Sequence, residues 1–145
     1  MILPDVNVLV YAFRGDMPQH RICRPWLAEI VSGDARFGMS LMVLSAVIRV
    51  TTDTRIYRMP SETDEVFRFC DNLLAQPHCQ VVEPRERHWN IFEQLCITTD
   101  THGPRVSDAW FAALAIESGC EWITFDRDYA RFPGLKWQVP VASRT

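Results

Sequence analysis

Short apolar runs and helix-period segments take turns along this chain, and that alternation narrows the fold more than any other feature. Ile2-Leu3 runs into Pro4-Asp5, Phe37-Gly38-Met39 precedes Ser40, and Cys79 to Glu83 follows Pro77. Trp122 to Phe125 follows Gly119, and Leu135 to Val139 follows the break at Phe132-Pro133-Gly134. Each run is short enough for a strand. Between them, apolar residues recur every three or four positions. They do so at Cys23, Trp26, Leu27, Ile30 and Val31, before a stop at Gly33. Ser40 can cap a helix through Leu44, Val47 and Ile48 to about Thr52. Val66, Phe69, Cys70, Leu73 and Leu74 mark another, ending near Gln76-Pro77, and Trp89, Phe92, Leu95 and Cys96 a further one. Ser107 opens the last, with Phe111, Leu114 and Ala115, stopping at Gly119. Strands alternating with helices predict an α/β domain with a central, mainly parallel β-sheet flanked by α-helices.

Some segments read less simply. Val6 to Phe13 is an unbroken apolar run, expected as a buried strand breaking into a helix, since periodicity alone does not separate the two. Arg14-Gly15-Asp16, Thr98 to Pro104 and Asp126-Arg127-Asp128 read as a loop, a loop and a polar turn.

Composition bounds the function. At 145 residues the chain has the size of one domain, and a 48% apolar share can build its core. The net charge of -3 excludes a globally basic nucleic-acid binder, so contact with such a ligand would come from a local patch. All but one of the 15 basic residues are arginine, Lys136 being the exception. The guanidinium fork suits phosphate, although a coding bias would give the same count. Five cysteines, Cys23, Cys70, Cys79, Cys96 and Cys120, form no CxxC pair, which argues against a zinc site and for a reducing compartment. No secretory leader pattern is visible and no apolar run approaches the ~18 residues of a membrane span. The expectation is a soluble, cytoplasmic protein without a membrane partner.

The acids carry the chemistry. In an open parallel sheet, ligands gather at the carboxyl ends of the strands. Asp5 follows the first strand, Asp126 follows Trp122–Phe125, Asp128 lies two residues further, and Asp108 sits in the first turn of the Ser107 helix. Any one of them has a plain alternative as a turn or cap residue. Converging carboxylates repel unless a hard cation neutralises them, and Mg²⁺ or Mn²⁺ is the usual choice. Such an ion supports in-line phosphoryl displacement, so the group would cut a phosphodiester.

The opening "ILPDVNVLVYA" resembles the first motif of PIN domains of the VapC type, in which an Asp ends the first strand. "VSDAWFAALAIESGCEWITFDRDYARFPGLKW" resembles the C-terminal half of that family. The match runs in order from about residue 2 to about residue 138, so residues 1–145 form a single PIN domain on this reading. The resemblance implies a PIN-like fold and Mg²⁺-dependent endoribonuclease activity on RNA, as the toxic member of a toxin–antitoxin pair. Asp5 and Asp108 would be the primary metal ligands, with Asp126 a further acid of the site and Asp128 a possible additional one. It also implies a cognate VapB-like antitoxin and a homodimer. Phe13, Trp26, Leu27 and the apolar face of the Val66–Leu74 helix offer hydrophobic surface for such contacts.

One position departs from the family. A pattern like "VLAELLR" usually carries a Glu after the second strand, whereas this chain reads "VLSAVIR", with Ala46 in its place. Asp53, the next acid, lies two helical turns on. Either the remaining acids suffice, with Ser40 or Ser45 helping, or the chain is a weakly active or non-catalytic RNA- or protein-binding module. A phosphoacceptor receiver would also cluster acids at strand ends but needs a lysine beside them, and Lys136 lies in the last strand region. Arg105 and Arg127 could touch an RNA backbone or simply balance the acids. His88 reads as a surface or boundary residue, His102 could reach a phosphate, and no histidine is assigned to catalysis. Trp26, Trp89, Trp110, Trp122 and Phe92 read mostly as core.

Overall fold

The Asp5 N–H donates to the Ile123 carbonyl at 2.8 Å as the last bond of the first strand, and the Asp5 side chain caps the helix that follows. Strand β1 (Ile2–Pro4) therefore gives way at once to helix α1 (Val6–Phe13) in this computed structural model, which describes residues 1–141. Helix α2 (His20–Ser32), β2 (Phe37–Met39), α3 (Leu41–Thr51), α4 (Thr63–Leu74), β3 (Cys79–Val81) and α5 (His88–Thr98) follow. A 3-10 turn at Gly103–Arg105 leads into α6 (Val106–Ser118), then come β4 (Glu121–Ile123), a second 3-10 segment (Arg127–Arg131) and β5 (Trp137–Gln138).

Every strand pairing is parallel: β1 with β4, β4 with β5, and β2 with β3. The expected parallel sheet is made of two ladders, ordered β1-β4-β5 and β2-β3, that come together along β1 and β2. Gly38 allows this approach. A Cβ there would stand 2.9 Å from Val82 Cγ2 and 3.3 Å from the Ile2 carbonyl oxygen. Both faces of the central strands are covered, so Leu3, Phe37, Met39, Trp122 and Ile123 are buried, whereas the edge strand β3 exposes Gln80 and Val81. Helix α6 presents Ala109, Ala112, Ala113 and Ala115 to the core, small residues that admit a close approach. It ends where expected: Gly119 adopts φ 70°, and the Cys120 N–H donates to the Ala115 carbonyl at 2.9 Å.

Several expectations need correction. Val6 to Phe13 is helix throughout, because Val8, Leu9, Val10 and Ala12 are all buried and leave no polar face to reveal a period. Helix α5 runs on through Thr98, and Gly103-Pro104-Arg105 curls into 3-10 form, so the expected loop is shorter. The polar turn after β4 starts the second 3-10 segment, capped by Asp126. His88 is fully buried, with its Nε2 3.0 Å from the Trp110 carbonyl and its ring 4.2 Å from that of Trp110. Its neighbour Trp89 is exposed instead. The pair inverts the expectation because α5 packs on α6 through His88, which turns the adjacent Trp89 outward. Leu27 belongs to the core, while Phe13 and Trp26 are half-buried against it. No helix among the described residues is long and apolar enough to cross a membrane.

Candidate active site

Asp5 is buried at the end of β1, and both its oxygens are occupied. Oδ1 accepts from the Val6 N–H at 2.6 Å, capping α1. Oδ2 accepts from the Thr124 hydroxyl at 2.7 Å and more distantly from Asn7 Nδ2 at 3.4 Å. Thr124, itself fully buried, also accepts from the Asp126 N–H at 3.0 Å. One hydroxyl thus joins the acid after β1 to the acid after β4. Asn7 closes the arrangement, taking the Phe125 N–H at 3.2 Å and reaching Thr124 Oγ1 at 3.3 Å. Asp108 enters from the first turn of α6, where the exposed helix N–H groups favour negative charge. The buried Tyr129 hydroxyl points at its Oδ1 from 3.4 Å.

These acids share one cleft of about 360 Å³, lined also by Val6, Asn7, Tyr11, Arg49, Tyr57 and Tyr129. Burial pushes the Asp5 carboxyl up from 3.8 to about 6, against the hydrogen bonds from Thr124 and Val6, and repulsion from Asp108 and Asp126 adds to the rise. Asp108 is raised by burial and then by Asp126. The site holds more negative charge than it neutralises.

A hard cation fits that imbalance. The donors are all oxygen, and Mg²⁺ characteristically keeps several waters while using one or two carboxylates. Among the described residues no three His, Cys, Asp or Glu side chains converge closely enough to enclose an ion by themselves. A hydrated ion held by a subset of Asp5, Asp108 and Asp126 matches this donor set.

Asp128 stands apart from the other three. It is exposed, pairs with Arg105 at 2.7 Å, and is not among the residues lining the cleft. Arg105 is thereby engaged at the rim, and Arg127 is exposed outside the cleft. The cation that lines the cleft is Arg49, which the sequence reading missed. Its signal was its place three residues after Ala46, on the helix face that the resemblance turns toward the acids. Thr124, Asn7 and Tyr129 were missed as well; Asn7 and Thr124 each lie two residues from a recognised acid. Ala46 is half-buried and borders an adjoining cavity of about 510 Å³ with Met42, Ser45, Arg49, Ser107 and Trp110. The space beside it is open. Ser40 caps α3 through the Val43 N–H and is not a lining residue.

Parallel ladders with acids from β1, β4 and α6 at one cleft define a class. The PIN domain family model matches residues 2–135. Ribonuclease VapC43 of Mycobacterium tuberculosis is 38% identical over 145 residues, spanning 100% of this chain and 99% of that protein. Ribonuclease VapC25 of the same organism is 38% identical over 136 residues, 94% of this chain and 96% of its own length. The chain belongs to the PIN-domain family, in its VapC type. Among solved structures, VapBC2 from Rickettsia felis, bound to a promoter DNA fragment, superposes with a TM-score of 0.69 at 16% identity, covering 96% of this chain and 98% of that one. That likeness speaks to the fold.

Proposed function

We propose that the chain is a Mg²⁺-dependent endoribonuclease, with Mn²⁺ able to substitute, and the toxic component of a toxin–antitoxin pair. The observation that carries this reading is the convergence of Asp5, Asp108 and Asp126 on one cleft, with Asp5 buried and the charges unbalanced. Relatives that match nearly the full chain are named ribonucleases, which supports RNA as the substrate.

The three acids would hold the ion, which supplies positive charge and Lewis acidity toward a phosphoryl oxygen. The chain's own residues do the rest. The Thr124 hydroxyl and Val6 N–H fix the Asp5 carboxylate in one orientation, so no reorganisation is needed when substrate arrives. Tyr129 orients Asp108 from beneath. Arg49, lining the same cleft, offers a fork for the scissile strand's phosphates, with Arg105 and Arg127 exposed outside it.

A VapB-like antitoxin would inhibit the enzyme. An apolar groove between α2 and α4, lined by Leu27, Val31, Phe69 and Leu73, fits such a partner. Exposed Leu41, Met42 and Trp89 on α3 and α5 support a homodimer. Ala46 favours a second reading, a weakly active or non-catalytic binding module.

One assay separates the two. The partner-free protein should cut single-stranded or structured RNA in Mg²⁺ or Mn²⁺ and stop in EDTA. Asp108→Asn should lower the rate by more than the ~10–100-fold that outer-shell partners of a metal cost. Cleavage undiminished by chelator removes the metal mechanism, and RNA binding without cleavage selects the second reading.

A further inference from the structure

The segment joining α3 to α4 passes beside the acidic cleft, yet it has almost no core of its own. Ile56 and Met59 are 52% and 80% exposed. Besides the Ser61 N–H bond to the Thr51 carbonyl at 2.8 Å, what ties it down is a side chain from elsewhere. Arg14, at the end of α1, is 8% exposed. Its Nη1 donates to the Met59 carbonyl at 2.8 Å and to Ser61 Oγ at 3.0 Å. Nε and Nη2 grip Asp16 at 3.0 and 2.6 Å. The guanidinium carbon lies 3.9 Å from the centre of the Tyr57 ring. Tyr57 is the residue of this segment that lines the cleft, together with Asp5, Asp108 and Asp126. Its hydroxyl reaches only Met17 Sδ, at 3.5 Å.

An aromatic ring backed by a guanidinium is a surface for stacking a nucleobase. Every base has a π-face, so such a platform serves any sequence. The cleft's other aromatic rings are already engaged: Tyr11 edge-on with Phe125 at 5.5 Å, Phe111 stacked on Trp122 at 5.5 Å, and Tyr129 buried in the core. Resting on the ribonuclease reading above, we propose that Tyr57 stacks on a base of the bound RNA strand and that Arg14 is the positioning residue that holds the ring at the cleft. The phosphate would lie toward the acids and Arg49, and the base toward Tyr57.

The test compares four substitutions at position 57. An Asp108→Asn background keeps the RNA intact during titration, and binding of a fluorescent mixed-sequence single-stranded RNA is read by anisotropy. Tyr57→Ala and Tyr57→Leu should weaken binding about tenfold. Leu preserves apolar bulk against Arg14, so its loss isolates the π-face from packing. Tyr57→Phe and Tyr57→Trp should recover the affinity. In the otherwise unaltered enzyme, Tyr57→Leu should raise KM by a similar factor and change kcat far less. Equal affinity for the parent and Tyr57→Leu, or no RNA binding by the parent at all, overturns the proposal. If the ring-dependent affinity appears while the unaltered enzyme cuts nothing, stacking stands and the nuclease reading falls.

Discussion

The two walls of the cleft are held in place by different means. Asp5, Asp108 and Asp126 stand at the ends of β1 and β4 and on α6, and their hydrogen bonds run to backbone, to the buried Thr124 and to the buried Tyr129. The Tyr57 wall is carried by the α3–α4 segment, tied down by one guanidinium from α1 that also backs the ring and by the Ser61 N–H bond to the Thr51 carbonyl at 2.8 Å. Displacing the acid wall means breaking the sheet. Displacing the other wall means losing a few hydrogen bonds. On the proposed reading, the rigid wall would serve the chemistry, where small misplacements are costly, and the strapped wall the part of the substrate that varies.

Asp5→Asn probes the acid wall most strongly. In the metal-free protein the Asp5 carboxyl is raised to about 6, above its ordinary 3.8. The folded state then retains a proton that the unfolded chain has released between those values, so this group's contribution to stability falls as pH rises through that window and levels off above it. The asparagine variant escapes the penalty. Its unfolding free energy in EDTA should match the parent's at low pH and exceed it increasingly toward neutrality, by roughly 3 kcal/mol at most, as read by denaturant melts across pH. A gain that does not change with pH would mean Asp5 is ionised without strain.

Arg14→Met should act in the other direction, on the other wall. It leaves the Met59 carbonyl and Ser61 hydroxyl without their charged donor, a cost of about 2 kcal/mol. Hydrogen exchange should quicken in residues 53–61 while β1 and β4 keep their protection. Equal quickening in both would erase the distinction between the walls. Arg105→Ala, at the rim, should matter least. Its pair with Asp128 is 48% and 57% exposed, and exposed pairs contribute below about 1 kcal/mol. The Tm should stay within about 2 °C of the parent's.

Much of the acid wall was legible in the sequence because it follows from strand ends. Once Ile2-Leu3 and Trp122–Phe125 are read as parallel strands, Asp5 and Asp126 must lie at the same edge. Thr124 and Asn7 were not legible, because their roles depend on the register that sets Pro4 beside Ile123. Tyr129 required the 3-10 segment after Asp126. The second wall left almost no trace: Arg14 looked like a loop residue, and nothing local says that its partners are Tyr57, Met59 and Ser61. His88 and Trp89 show the same limit on a smaller scale. Adjacent residues on a helix point about 100° apart, and only the packing of α5 on α6 decides which one faces inward.

The Thr124–Asp5 hydrogen bond spans 119 positions, and β1 has no ladder partner until β4 exists. Long-range parallel pairing is slow to form. During translation the first strand leaves the ribosome on the order of ten seconds before its partner does. Throughout that interval the nascent chain cannot assemble the acid cluster. On the proposed reading, a growing polypeptide of this topology has no nuclease site, and its activity, like its fold, would arrive only with the closing strands.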